Sequence, residues 1–335
     1  MRVNNNFSKS VQFDKTNAYN EVLDYIDPEL TNVLSKLPRN IIEKVEEIRL
    51  RNGKPLMISL GSGDYFVSKN GTSVLEPTNC IHVTNKHVLK TFQLISNYSI
   101  YSIEEELKYG FVTVRGGHRV GVTGKAVYGT KGLETIRDIS SLNIRIAKQM
   151  IGVSNNIIRF IIKKPNTVYN TLLVSPPQCG KTTLLRDIIR NISNGIDAYN
   201  FHGIKVGVVD ERSEIGGTYN GCPQNDVGVR TDIIDSCHKH EGIMLLLRSM
   251  SPNVIATDEI GDERDIKAIH EAIKAGVRII STVHGDGVED ILNKPKLRDI
   301  ITEKVFERII LIDNTHGVGT IKDIVDGVNF KSVMS

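Results

Sequence analysis

The chain has 335 residues, 40% of them hydrophobic and 24% charged, with a formal net charge of +3. That mixture predicts a soluble globular protein of about two domains, and so small a charge does not make nucleic acid or anionic lipid the expected partner. No apolar run approaches the roughly 18 residues of a membrane helix, and Met1–Asn6 is polar where a secretory signal would be apolar, so neither a membrane span nor secretion is expected.

The first half reads as mixed helix and strand. Pro38 suits the first turn of a helix running to about Glu46. Short alternating segments follow at 47–51, 56–60 and 65–68, separated by glycines as turns would be. Thr84 is placed as the N-cap of a helix through Asn97, with Val88, Phe92 and Ile95 at helical spacing. Strands are expected at 111–115 and 119–127, around Gly116-Gly117. Cys80, Cys179, Cys222 and Cys237 are widely separated, which fits a reducing compartment better than a disulfide scaffold. Cys237-His238-Lys239-His240 has no second ligand pair at zinc-finger spacing and reads as the polar opening of a helix.

From about Ile151 the pattern changes. Apolar runs at 168–174, 206–209, 254–257, 277–282 and 306–312 alternate with helical segments. Such alternation predicts a mostly parallel sheet covered on both faces. The expected division is therefore an α+β domain over 1–151, with regulatory or ring-contact roles, and an α/β domain over 152–335.

The most informative segment is Leu172–Leu185, a buried strand, a tight loop and a helix beginning near Lys181. This is the order a phosphate-binding loop requires, because inward N–H groups and a helix N-terminus together attract an anion. The loop comprises Ser175, Pro176, Pro177, Gln178, Cys179, Gly180, Lys181, Thr182 and Thr183. The prolines lack an N–H, so the donors start at Gln178. Gly180 allows close approach, Lys181 would bind phosphate oxygens, and the Thr182 hydroxyl would ligate Mg²⁺. The motif's first glycine is Ser175 here. An acidic pair, Asp258-Glu259, ends the apolar run 254–257 at the edge where doubly wound sheets bind ligands. Asp258 would hold Mg²⁺ through its water shell and Glu259 would polarise the attacking water. Two further strand ends, leading into Asp210-Glu211-Arg212-Ser213-Glu214 and into His284-Gly285, are expected on the same edge.

Together these segments resemble the secretion-type ATPases of type II secretion and type IV pili, and more closely their stage III sporulation AA branch. The resemblance runs over most of the chain. It is carried by Glu47–Arg51 with Pro55-Leu56, by Gly110–Val127 with its Arg-Gly-Gly-His-Arg-Val-Gly, and by Ser141–Ile146. To these are added Leu172–Arg190, Asp210–Gly217, and Leu247–Pro252 leading to Asp258–Gly261. The resemblance implies a RecA-like P-loop ATPase domain using ATP and Mg²⁺, preceded by a smaller α+β domain, and a homo-hexameric ring. It makes Asp210, Glu211 and Glu214 an acidic box and His284 a histidine box. Arg119 and Arg145, with Arg115 a third, stand where such ATPases carry arginine fingers.

It further implies a cytoplasmic motor energising a membrane-embedded channel between mother cell and forespore, from the mother-cell side and through a partner. Asp258, where secretion ATPases often have glycine, and the lack of a four-cysteine zinc set favour the sporulation branch over a pilus motor. Two alternatives stand beside the motor. One is a RecA-like ATPase stimulated by nucleic acid, which the near-neutral charge disfavours. The other is a nucleotide-dependent scaffold with little hydrolysis, which Ser175 and Thr257 leave open.

Overall fold

The computed structural model describes residues 15–130 and 132–334; the polar opening segment Met1–Asn6 lies outside them. The described residues form two compact units. One runs to Lys148 and includes 217–224; the other comprises 149–216 and 225–334.

The N-terminal unit opens with helices α1 (Lys15–Leu23), α2 (Pro28–Leu34) and α3 (Arg39–Ile42). The helix expected to reach Glu46 stops at Ile42, and strand β1 (Val45–Arg51) begins three residues later. Val45, Ile48 and Leu50 are buried in that strand, which pairs antiparallel with strands on both sides. Tertiary pairing outweighs the helical preference of Glu43–Glu46 there. Strands β2 (Met57–Leu60), β3 (Gly63–Val67) and β4 (Ser73–Val74) precede helix α4 (Asn85–Ile95) and the short α5 (Glu104–Lys108). The Thr84 side chain caps α4 as expected, and its N3 partner is His87. Strands β5 (Phe111–Val114), β6 (His118–Gly129) and β7 (Gly132–Arg145) complete a seven-stranded sheet in the order β4-β3-β2-β1-β7-β6-β5. The long strand β7 joins β1 to β6 at the sheet's centre.

The C-terminal unit starts with helix α6 (Ile158–Ile161) and a two-stranded ribbon of β8 (Ile162–Lys163) and β9 (Thr167–Val168). Strand β10 (Thr171–Ser175) leads into helix α7 (Lys181–Asn194). Then come strands β11 (Val206–Asp210) and β12 (Thr231–Asp235), helix α8 (Lys239–Ser249), strand β13 (Val254–Thr257), helix α9 (Glu263–Lys274) and strand β14 (Arg278–His284). Helices α10 (Val288–Leu292) and α11 (Pro295–Thr302) precede strands β15 (Arg308–Asp313) and β16 (Thr320–Asp326). The sheet order is β12-β11-β13-β14-β10-β15-β16, parallel except for β15 with β16. Strand alternation separates two cores. Leu173, Val208, Ala256, Ile280 and Ile310 face α7, whereas Leu172, Val209, Ile255, Ile279 and Ile309 face α8, α9 and α11. This is the α/β fold with a mostly parallel sheet that the apolar runs predict. The edge strands β12 and β16 are additions, because their polar residues do not form an apolar run.

Gly242 sets how closely α8 lies on the sheet. A β-carbon there would come within 2.5 Å of Val209 Cγ1, on a side chain with little rotamer freedom. Gly242→Val is expected to destabilise the protein by about 1–3 kcal/mol through overpacking. Equilibrium urea denaturation checks this, and an unchanged midpoint would show that the helix can shift freely.

Candidate functional site

Three parallel strands end side by side. Ser175 of β10 pairs with His284 of β14, and Thr257 of β13 pairs with Ser281. The residues immediately beyond these ends, the phosphate loop and Asp258-Glu259, are therefore delivered to one edge. A cavity of about 400 Å³ there is lined by Gln178–Thr183, Arg212, Glu214, Asp258, Glu259, His284 and Val318.

The loop has the backbone of an anion nest. Gln178 and Gly180 take left-handed conformations with φ of +61° and +84°, and Gly180 is followed directly by the first residue of α7. Cys179 is buried beneath, and its carbonyl accepts the Gly319 N–H at 3.0 Å, which ties the loop to the start of β16. The Lys181 ammonium is gathered inward. It donates to Ser175 O (3.1 Å), Ser175 Oγ (3.2 Å) and Pro176 O (3.2 Å), and lies 2.7 Å from His284 Nδ1. Burial lowers its pKa from the ordinary lysine value, while Asp258 and Glu259 oppose that shift. Ser175, which stands where the motif has glycine, thus supplies Lys181 with an extra oxygen and itself donates to Pro176 O.

An ammonium can only donate, so His284 Nδ1 accepts from Lys181, and its Nε2 lies 3.2 Å from Glu259 Oε1. Lys181, His284 and Glu259 form one chain of polar contacts. Glu259 sits in a left-handed conformation with φ of +32°, and its N–H is bound by Thr282 Oγ1 (2.9 Å) and Asp258 Oδ1 (3.0 Å). Thr282 also bonds Asp258 Oδ1, and Thr182 Oγ1 donates to Asp258 Oδ2 at 2.9 Å. A hydroxyl and a carboxylate converging on one point are the hard oxygen donors that suit Mg²⁺. Thr182 and Asp258 therefore fit that ion.

The acidic segment after β11 divides its work. Asp210 is buried, and its carboxylate accepts the N–H groups of Glu214 (2.8 Å), Ile215 (2.9 Å) and Gly216 (2.8 Å). Burial pushes its pKa up to about 6, against the pull of those donors. Asp210 is thus the organiser of a turn. Glu211 is bound by Lys239 and by His238 Nδ1 at 2.9 Å. Burial would raise its pKa, but these two partners hold it below the ordinary value. His238 is the N-cap residue of α8, so the Cys237–His240 stretch opens a helix. Arg212, exposed between the acids, lines the phosphate cavity; as a cation in an acidic run it was legible in the sequence but not singled out. Thr282 was also missed, although alternation on β14 places it on the same face as His284.

Arg119 and Arg145 lie in the N-terminal unit and are not among the residues lining the phosphate cavity. They are directly paired across β6 and β7. Arg145 is bound by Glu47 Oε1 at 3.1 Å while Glu47 Oε2 anchors Arg49 at 2.7 Å, and Arg119 packs on the Phe111 ring with its guanidinium carbon 4.0 Å from the centroid. Arg115 pairs with Asp24 at 3.2 Å on the surface. A second cavity of about 610 Å³, more apolar, opens beside the loop and is lined by Phe160, Ile157, Thr183, Leu184, Val318 and Ile321 among others.

Residues 16–330 match the family described as sporulation stage III, protein AA. The chain is 39% identical over 307 residues to stage III sporulation protein AA of Bacillus subtilis (strain 168), spanning 92% of this chain and 95% of that one. Among solved structures it resembles the ATPase DotB of Legionella pneumophila, with a TM-score of 0.55 and 16% identity over 90% of this chain and 80% of that one. It also resembles the pilus retraction motor PilT with bound ADP, at a TM-score of 0.56 and 15% identity over 88% and 81% of the two chains. At such identities these structures establish the fold alone: a RecA-like domain preceded in sequence by an α+β unit.

Replacing Asp210 by asparagine leaves one oxygen for the Ile215 and Gly216 N–H groups and sets an N–H₂ against the Glu214 N–H. Asp210→Asn is expected to cost about 1–3 kcal/mol of stability, the cost of leaving a buried donor unsatisfied. Urea denaturation measures it, and a variant as stable as wild type would mean that water or a rearranged turn takes over.

Proposed function

The chain belongs to the sporulation stage III protein AA family, and from that membership and the site geometry we propose that it is an ATP-hydrolysing motor of a secretion-type assembly. One observation carries the reading: the loop, Lys181, Asp258, Glu259 and His284 line a single cavity at the C-terminal edge of a parallel sheet. ATP would seat its β- and γ-phosphates on the loop N–H groups, and Lys181 would exchange its carbonyl partners for phosphate oxygens. Thr182 and Asp258 would hold Mg²⁺, which would supply positive charge to offset that of the phosphates. The neighbouring apolar cavity suits the adenine ring.

Glu259 is the group to orient and deprotonate the attacking water. Its carboxylate is half-exposed and meets His284, whereas Glu211 is engaged by Lys239 and His238. His284, hydrogen-bonded to Lys181 and 3.2 Å from Glu259, would hold the two in a fixed relation as charge moves to the γ-phosphate. Arg119 and Arg145, adjacent on the N-terminal sheet, would act as fingers on the transferred phosphoryl group in a homo-hexameric ring. Among the described residues no helix is long and apolar enough to cross a membrane. The motor would work from the cytoplasm, on the mother-cell side, through membrane-embedded sporulation channel components. Sequence similarity to a stage III sporulation protein supports that placement.

Lys181→Ala is expected to lose ATP binding by tenfold or more, while Glu259→Gln should bind ATP with near-wild-type affinity and hydrolyse it about 10²–10⁴ times more slowly. Nucleotide binding and phosphate release, measured side by side, test both. Normal affinity in the lysine variant would remove the loop assignment, and normal turnover in Glu259→Gln would move catalysis elsewhere. Arg145→Ala should leave ATP affinity intact and reduce turnover by about 10³ in an assembled ring, the usual scale of an arginine finger. Unchanged turnover in ring-sized fractions would reduce Arg145 to a partner of Glu47.

A further inference from the structure

The acidic segment does not end in its own unit. Residues 211–216 belong to the C-terminal unit, 217–224 cluster with the N-terminal one, and the chain returns at Asn225. Each end of this excursion is held firmly. On the C-terminal side, Asp210 takes the N–H groups of residues 214–216. The carbonyls of Glu214 and Ile215 are held by Arg186, at 2.6 and 2.7 Å. Arg186 is buried on α7, one turn beyond Lys181 and Thr182. Asn225 closes the loop by bonding Gly216 O and Ile215 O, both at 3.0 Å.

On the N-terminal side, Tyr219 and Cys222 exchange backbone bonds of 3.0 and 2.9 Å around Asn220-Gly221, whose φ angles of +49° and +75° make a tight hairpin turn. Gln224 Oε1 then accepts the Gly116 N–H at 2.8 Å. Gly116 and Gly117 are both left-handed, and a β-carbon on Gly116 would lie 2.6 Å from Glu21 and from His118. That turn therefore has little freedom to adjust, and it carries Arg115 and Arg119 on either side.

We infer that segment 217–224 is a covalent relay from the phosphate-loop helix to the Arg115–Arg119 turn, with Arg186 and Gln224 as the positioning residues at its two ends. The inference rests on the proposed nucleotide site. A displacement of α7 on nucleotide binding moves Arg186, which draws on the 214–216 carbonyls. The hairpin is continuous with that turn, and Gln224 passes its motion to the Gly116 N–H. The N-terminal unit thereby receives the nucleotide state through bonded chain, in addition to the connection at Lys148–Gln149.

Amide hydrogen exchange on the full chain tests this, with and without a non-hydrolysable ATP analogue and Mg²⁺. In wild type, the analogue is expected to slow exchange about fivefold or more in peptides covering 214–224 and 114–120. Gln224→Ala should bind the analogue within twofold of wild type, melt at the same temperature, and keep the response at 214–216 while losing it at 114–120. Gln224→Glu retains an acceptor for the Gly116 N–H and should restore the response. Analogue binding with no change at 114–120 in wild type, or a full response there in Gln224→Ala, overturns the relay and leaves the nucleotide site standing. Failure of wild type to bind the analogue overturns both.

Discussion

Parallel pairing of β10, β13 and β14 is the constraint on which the site depends. A parallel ladder has evenly spaced bonds and runs its strands in one direction, so paired strands bring their C-terminal ends to the same edge. Ser175 opposite His284, and Thr257 opposite Ser281, put the loop lysine, the metal-type acid and the histidine within one hydrogen-bonded group. Each strand is buried on both faces, and a slip of one residue would exchange the two cores. The hydrophobic core on either side of the sheet therefore sets the relative positions of Lys181, Asp258 and His284.

Charge at that edge is handled by giving every buried ionic group several partners. Lys181 is nearly buried, a location that costs a cation its hydration, and three oxygens and an imidazole replace the lost water. Asp258 is bound by two threonine hydroxyls from different elements, and Arg186 by two carbonyls. A γ-phosphate entering this network would change the partners of Lys181 first. From there, on the proposed reading, the effect would have two routes, through His284 to Glu259 and along α7 to Arg186.

The N-terminal sheet presents the converse arrangement. Arg119 and Arg145 are like charges directly opposite on neighbouring strands, an arrangement that destabilises an isolated pair. Glu47 on the adjoining strand β1 and the face of Phe111 offset that repulsion. The pairing keeps two guanidinium groups together on a rigid surface, as a finger site would require.

The sequence by itself determined the local chemistry. A strand, a proline-containing loop and a helix in immediate succession carry the phosphate-loop reading, because that order is contained in a few consecutive residues. The Asp258-Glu259 pair, the Thr84 cap and the apolar runs of the buried strands were legible for the same reason. Asn220-Gly221 was a hairpin signal of that kind too, but it lies in a polar stretch with no apolar strands beside it. Only the tertiary structure decided that Ser175 serves Lys181, that His284 bridges the lysine to Glu259, and that Thr282 fixes the acids. It alone divided the acidic segment into a turn organiser, Asp210, and a clamped carboxylate, Glu211. It also lodged 217–224 with the N-terminal unit. Ser175 with Lys181 and Asp210 with 214–216 are only four to six positions apart, but the His284, Thr282 and Glu211 contacts join residues 23 to 103 positions apart. Strand register and core packing create such contacts, and no local pattern encodes them.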